Sequence, residues 1–349
     1  MKTVFISPFV NDTNDYIIRV RAVLEDAGFQ VKPFSFRSLA FSEVGGLFDP
    51  NNYVLVHWLE SRVFTEGRGR SRVRLAGLLQ FCAYVLVMLV MRARLVYFVH
   101  DHAVHDLSGW RRTLSMRLIG LLRRMSDLRV VHDPSFAQQY GAVYLPHPLY
   151  DERPEGRASQ RPQEGFRAGV LGAVRPYKRI EDLIAVWPEG PTLVIRGRAD
   201  AAYETDLRKA IAAREAGVLV DMKTGFMSRE AFVAEMGRLD ALILPHADAS
   251  MLVSGAFFEA IGSVPFIIAR ETPFTRWASE QFSGVLTFRT EAELLVQVRR
   301  AWHARDGAQA ELAAAGRKAN ALFGHAACVR LYGAILHGAA LRSVEQGGR

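Results

Sequence analysis

Arg175, Pro176, Tyr177 and Lys178 follow a short apolar strand and a glycine turn at Gly172, and a helical pattern resumes near Glu181. Two fixed cations in a strand-to-helix turn suit a diphosphate. The crevice at the carboxyl ends of parallel strands holds ligands, and the free amides of a helix N-terminus favour negative charge. A solvated first helical turn is the plainer reading. A second group, His100-Asp101-His102-Ala103-Val104-His105-Asp106, sets three imidazoles and two carboxylates directly after a strand, where they can supply a general base or orient a sugar hydroxyl. Asp106 is the first choice as base, because a carboxylate beside histidines can be tuned toward neutral pH; Glu60 and His105 are the alternatives, and His100 and Asp101 belong to the same group. His100, His102 and Asp106 as metal ligands would match no standard spacing and find no second ligand cluster, so no metal is expected. Solvated loop polarity is the remaining reading.

Other residues extend these two groups. His57-Trp58-Leu59-Glu60 ends another strand of the first half, so Trp58 could offer an apolar face to a sugar ring or simply pack, and Glu60 could take a hydroxyl proton. In the second half Arg196-Gly197 ends a strand, and Gly225-Phe226-Met227-Ser228 forms a turn that lets a base lie close to the backbone. Pro245-His246 follows a further strand. Ser254 and Gly255 then open a helix whose amides could hold a phosphate, with Glu259 one turn on, placed to accept hydrogen bonds from a ribose diol or to stand as a surface acid.

Positioning these groups takes a repeated strand–helix rhythm. Strands are expected at Thr3 to Ser7, Phe29 to Phe34, Tyr53 to His57, Leu95 to Val99, Leu128 to Val131 and Ala142 to Leu145. The first helix runs from Asp15 to Ala27 with Asn14 as its cap and Gly28 as its stop, and another spans Trp110 to Met125. The second half repeats the pattern, with strands at Phe166 to Leu171, Thr192 to Ile195, Val218 to Asp221, Ala241 to Leu244, Pro265 to Ile268 and Gly284 to Phe288. Such βα alternation implies parallel, doubly wound sheets, here as two similar α/β domains with a cleft between them. The expected division is residues 1–150, a polar linker at 151–165, a second domain at 166–324 and a terminal helix over 325–349 that could pack back on the first domain.

Length supports two domains, since 349 residues exceed what one ordinary core holds. Cys82 and Cys328 are the only cysteines, which excludes a disulfide framework or a cysteine-based zinc module and fits a reducing cytoplasm. The opening run reads as a strand, not a signal peptide. Between Glu60 and Arg129 stand thirteen arginines and no lysine against five acids, a surplus that equals the whole +8 charge of the chain. Within that patch, Leu75 to Met91 is apolar except for Gln80. A nucleic-acid site needs no such run, whereas a bilayer surface does. A transmembrane span would put successive strands on opposite sides of the membrane, so a membrane-associating helix at about residues 71–94, with Arg68, Arg70, Arg72, Arg74, Arg92 and Arg94 at the headgroups, is the expectation, beside an ordinary core helix.

The glycine turn with Arg175 and Lys178, the Gly225 turn, and Glu259-Ala260 followed by Gly262 and Pro265 resemble the nucleotide-sugar domain of GT-B glycosyltransferases of the large GT4-like group. The resemblance implies that Arg175 and Lys178 bind the donor diphosphate and Glu259 the ribose. Met251 stands where the group usually has a further Glu at the donor sugar, so that contact and a retaining outcome do not carry over. His57-Trp58-Leu59-Glu60, the apolar helix and His100 to Asp106 are similar to bacterial exopolysaccharide β-mannosyltransferases of the xanthan type.

That likeness implies an inverting hexosyltransferase at the membrane. The arginine-flanked apolar run points to the inner face of the plasma membrane, and Arg175 and Lys178, by offsetting the charge on the leaving diphosphate, make the expected enzyme metal-independent. It would carry mannose from GDP-mannose to a lipid-linked oligosaccharide at an anionic membrane surface, with the sugar nucleotide as donor substrate and no cofactor. A UDP-sugar-dependent glycosyltransferase and a sugar-nucleotide epimerase of the same architecture are the enzymatic rivals; a membrane or nucleic-acid binding module is the rival outside catalysis.

Overall fold

The computed structural model describes residues 1–11, 15–38, 44–65, 72–105, 107–153, 165–245 and 251–338. Asn14, Arg68, Arg70, Asp106, His246 and most of the linker lie outside the described residues. The chain divides into two compact units, one made of Met1–Tyr150, Ala249–Val253 and Leu322–Arg349, the other of Asp151–Asp248 and Ser254–Ala321.

The first unit runs β1 (Thr3–Ser7), α1 (Tyr16–Asp26), β2 (Gln30–Pro33), the single turn α2 (Phe36–Ser38), a 3₁₀ stretch at Val44–Phe48 and β3 (Tyr53–His57). A 3₁₀ segment at Leu59–Val63 leads to α3 (Leu75–Val90), β4 (Arg94–Phe98), α4 (Gly109–Met125), β5 (Leu128–Val131), the turn Pro134–Phe136, α5 (Ala137–Tyr140) and β6 (Val143–Tyr144). All pairings are parallel, in the order β2-β1-β3-β4-β5-β6. The order reverses between β1 and β3, and right-handed crossovers then place α1 on one face and both α3 and α4 on the other. Phe81, Tyr84 and Met88 of α3 and Leu118, Ile119 and Leu122 of α4 accordingly share one core with Val54, Val56 and Tyr97 of the sheet. Gly77 makes this packing possible, because a Cβ there would lie 2.0 Å from the Arg62 carbonyl oxygen.

The second unit runs β7 (Arg167–Leu171), the 3₁₀ turn Pro176–Lys178, α6 (Ile180–Val186), β8 (Thr192–Gly197), α7 (Ala201–Ala212), β9 (Leu219–Thr224) and α8 (Arg229–Met236). It continues through β10 (Ala241–Leu244), α9 (Gly255–Ala260), β11 (Phe266–Arg270), α10 (Pro273–Gln281), β12 (Val285–Phe288), α11 (Glu291–His303) and α12 (Ala308–Phe323). Its sheet is also wholly parallel, ordered β12-β11-β10-β7-β8-β9, and reverses between β7 and β10. Trp187, with its indole N–H donated to the Pro191 carbonyl at 2.9 Å, centres a core with Leu183, Ile195, Leu294 and Val298.

The last described helix, α13 (His325–Leu336), belongs to the first unit and lies along α1. His325 meets Asp26 at 2.7 Å and the His337 ring stacks on Phe29 at 4.4 Å. The connection from β2 to β3 contains two short helical stretches at Phe36–Ser38 and Val44–Phe48, too brief to show a hydrophobic period in sequence.

Candidate active site

The reversal between β7 and β10 puts the turn after β7 at the switch point of the second sheet, the place where open α/β sheets bind ligands. The turn is tight. Gly172 takes φ +94°, and a Cβ on Gly197 would fall 1.7 Å from the Gly172 carbonyl oxygen, so the ends of β7 and β8 meet through bare backbone. Arg175 precedes the 3₁₀ turn in extended geometry and is half-buried, and Arg179 closes it in the left-handed region at φ +48°. Between them Lys178 is only 5 % exposed, and burial pushes its ammonium down to about 8. Among the described residues its ammonium makes no ion pair. The helix start beside it is less open to an anion than the sequence suggests. Glu181 and Asp182 occupy the first turn of α6, and the amide of Ile180 is donated to the Tyr203 hydroxyl at 3.0 Å. Positive charge here comes from side chains rather than from free amides.

Arg196, near the end of β8, is tied to acids of neighbouring elements. Its guanidinium donates to the Asp221 carboxylate at 2.5 Å and lies 3.4 Å from Glu235, tying β8 to β9 and α8. Burial works to raise the Asp221 carboxyl, but the hydrogen bond and charge of Arg196 overcome it and hold Asp221 below the usual range. Arg196, Gly225, Phe226 and Met227 line one cavity of about 440 Å³ together with Lys223 and Arg238. Gly197 lies at the end of β8, and the Phe226 ring is 88 % exposed.

Glu259 sits near the end of α9, which Ser254 precedes and Gly255 begins. Its carboxylate accepts from Arg229 of α8 at 2.5 Å, and Arg229 also reaches Asp151. Burial raises the Glu259 carboxyl and Arg229 restrains the rise. Arg153 fixes this end of the helix by donating to the carbonyls of Phe258 at 2.5 Å and Ile261 at 2.6 Å.

In the first unit, the carboxyl edge of the sheet gathers four buried histidines. His57 ends β3, His100 follows β4, His132 follows β5 and His147 follows β6. Tyr16 packs its ring against all four, between 4.7 and 5.6 Å. The His132 Nδ1 lies 2.7 Å from the Leu145 carbonyl, which only accepts, so Nδ1 carries the proton and Nε2 accepts from the Tyr16 hydroxyl at 2.6 Å. His57 Nδ1 and His100 Nε2 share a hydrogen bond of 2.9 Å. Burial lowers all four imidazoles, His132 to about 4 and the others well below their ordinary value, so they are neutral at pH 7. Among the described residues no set of three or more His, Cys, Asp or Glu is arranged to hold a metal.

Beside the histidines lies the carboxyl group. Glu60 is buried, accepts from the Tyr97 hydroxyl at 3.1 Å, and is pushed up to about 7 by burial, with the charge of Asp101 adding to the rise. Asp101 in turn meets His105 Nε2 at 3.2 Å and pairs in an antiparallel bridge with Met251, which belongs to this unit. His102 turns away to the Tyr140 hydroxyl. Trp58 stacks on His100 at 4.1 Å and takes the left-handed region at φ +48°, a conformation a bulky side chain adopts only where its surroundings impose it. Glu60, Asp101, His105 and His100 therefore come together, while Asp106 lies outside the described residues. Tyr16, Tyr97, His132, His147 and Arg229 were not among the residues singled out from sequence. For the histidines a signal existed: one stands within three residues of the end of each of four successive strands.

No family model matches the chain, and no curated protein sequence matches it. Solved structures do. HepE of Anabaena, crystallised with UDP and glucose, aligns over 97 % of this chain and 100 % of its own at 15 % identity and a TM-score of 0.64. Sucrose-phosphate synthase of Thermosynechococcus elongatus aligns over 100 % of both chains at 12 % identity and a TM-score of 0.65. The fold is GT-B. A UDP-forming trehalose-phosphate synthase of Burkholderia xenovorans, in complex with glucose-6-phosphate, adds a third GT-B likeness over 97 % of this chain and 100 % of its own at 11 % identity, with a TM-score of 0.59. The two parallel sheets are thus the two Rossmann-like halves of a GT-B chain, with the Lys178 turn at the switch point of the second.

Proposed function

We propose that the chain is a glycosyltransferase that takes a hexose from a sugar nucleotide. The observation that carries this reading is Lys178, a cation buried at the switch point without an ionic partner among the described residues. A buried charge is costly unless an opposite charge meets it, and the diphosphate of a sugar nucleotide supplies that charge at the place where α/β sheets bind ligands. Arg175 and Lys178 would offset the charge that grows on the departing diphosphate, a part that needs no metal ion. Glu259, oriented by Arg229, would accept from a ribose diol, and the Gly225 turn would lie along the base.

In the first unit the acceptor hydroxyl would lose its proton to a carboxylate. Glu60, poised near 7, is the described group best matched to that task, with Asp101 and His105 beside it and Asp106 as the rival base. Mannose from GDP-mannose, passed to a lipid-linked oligosaccharide in exopolysaccharide or glycolipid synthesis, is the specific reaction that the sequence resemblance favours. A UDP-linked donor is the second reading, favoured because HepE was crystallised with UDP and with UDP-glucose. Thermal shift and calorimetry with GDP, UDP and their sugars separate the two, since a ligand that binds only the folded form raises its melting temperature. No shift with any nucleotide would remove the proposal. Product formed from the sugar nucleotide alone would point to an epimerase instead.

A further inference from the structure

The first unit turns an apolar face outward. Leu75, Leu79, Leu86, Leu89 and Val90 of α3 are each 62 to 72 % exposed, and no charged side chain lies between Leu75 and Met91. On the same face of the sheet α4 adds exposed Trp110, Met116 and Leu121, with Arg117 and Arg124 among them. A soluble monomer seldom keeps so continuous an apolar patch uncovered.

Two occupants compete for it. Leu75, Leu79, Cys82, Leu86 and Leu89 recur at the alternating four- and three-residue steps of a helix–helix seam, which would suit a second copy of the chain. Charge argues against that partner. Arg72 and Arg74 precede the seam and Arg92 and Arg94 follow it, so parallel pairing sets each pair against itself and antiparallel pairing sets one pair against the other. Either way like charges meet. Paired helices also carry opposite charges along the flanks of the seam, and α3 has none. A negatively charged lipid surface accepts both features, with leucines at the acyl boundary and arginines among the headgroups. Among the described residues no helix is long and apolar enough to cross a membrane, and the 16 residues of α3 fit one lying in the interface plane.

We propose that the α3–α4 face of the first unit seats the protein on an anionic lipid bilayer, with α3 flat in the headgroup layer. The seating has a direction. Both helices follow a strand and so begin at the carboxyl edge of the sheet, and the Arg74 amide is donated to the Val63 carbonyl at 2.8 Å, next to the segment that holds Glu60. Leu75 and Trp110 therefore touch the bilayer at the end of the unit where Glu60 and Asp101 lie. The proposal needs no sugar nucleotide and stands apart from the reaction.

The test is sedimentation of the full chain with vesicles of phosphatidylcholine alone or mixed with phosphatidylglycerol, at low and high salt. The wild type is expected to bind the anionic vesicles, to bind about tenfold more weakly at high salt, and to lose about tenfold or more in Leu79→Glu/Leu86→Glu. Arg72→Gln/Arg92→Gln should weaken binding to anionic vesicles only. All four positions are exposed, so the thermal melt should be unchanged. Trp110 emission should shift to the blue with anionic vesicles, and the shift should vanish in Trp110→Phe. Equal binding by the wild type and the double leucine variant, equal binding to neutral and anionic vesicles, or no binding at all overturns the proposal. A wild-type dimer that the leucine substitutions make monomeric, with no vesicle binding, gives the seam to a second copy and overturns it as well.

Discussion

The two sheets are wound alike, yet their carboxyl edges have opposite chemistry. The edge of the first carries four neutral imidazoles and a carboxyl group poised near 7; the turn at the edge of the second carries a half-buried arginine and a buried lysine lowered to about 8. Burial acts on both, penalising whichever form is charged. On the glutamate it produces a group that exchanges its proton near neutrality, on the histidines it produces imidazoles that stay neutral there, and on an unpaired lysine it produces a demand for an anion. A shared backbone plan thus sets a carboxyl group that titrates near neutrality among neutral imidazoles at one edge and a buried cation at the other, according to which side chain follows each strand.

Changing Glu60 should test the first edge most sharply. Glu60→Gln is expected to lower turnover by about 10²–10⁴ and to abolish the limb of the pH–rate profile near 7, both read by steady-state kinetics. A surviving limb with near-normal turnover would move the base to Asp101 or Asp106. On the second edge, Lys178→Met should cut nucleoside diphosphate affinity about a hundredfold by calorimetry, because a charge-assisted contact is lost. The same change should stabilise the unliganded protein by on the order of 3 kcal/mol in urea unfolding, since it removes a desolvated charge. The sign can be followed with pH. The native lysine gives up its proton near 8 and the unfolded one near 10.5, so wild-type stability should rise across that interval while the variant shows no such rise.

Acid distinguishes the units next. Neutral buried histidines leave stability unaffected above about pH 6.5 and reduce it below, because the unfolded chain takes up protons first. His132, titrating at about 4 when folded, should alone cost about 2 kcal/mol at pH 5. Glu60 and Asp133, raised to about 7 and about 6, act in the other direction, stabilising in acid and losing that contribution as pH rises through those values. Four histidines against two carboxyls should leave the first unit the more acid-labile, as hydrogen exchange at pH 5 and pH 7 would register. The smallest effect is expected from Arg229→Ala, about 1 kcal/mol because the pair is partly solvated, together with a further rise of the Glu259 carboxyl visible by NMR titration.

Much of this arrangement was legible in the chain. The strands at Thr3–Ser7, Tyr53–His57, Leu128–Val131 and Ala241–Leu244 have the bounds their apolar runs suggest, because a buried parallel strand is a short unbroken apolar segment. Elsewhere boundaries moved where side chains of mixed character end a strand, as at β9, which runs on through Lys223 and Thr224 at the sheet edge. The site was less legible. Arg196 faces acids that sequence spacing does not reveal, and Arg229 meets Glu259 across thirty positions. The burial of Lys178 depends on the packing around its turn, and the histidine cluster on strand order in space.

One consequence falls on how the protein is made. Helix α13 completes the first unit, with Tyr332 buried and donating to the Pro146 carbonyl at 3.2 Å. Domains commonly fold in the order in which the ribosome releases them. Here the earliest-synthesised sheet must wait for a helix translated after the entire second sheet, so a nascent chain should shelter its second Rossmann-like half before its first.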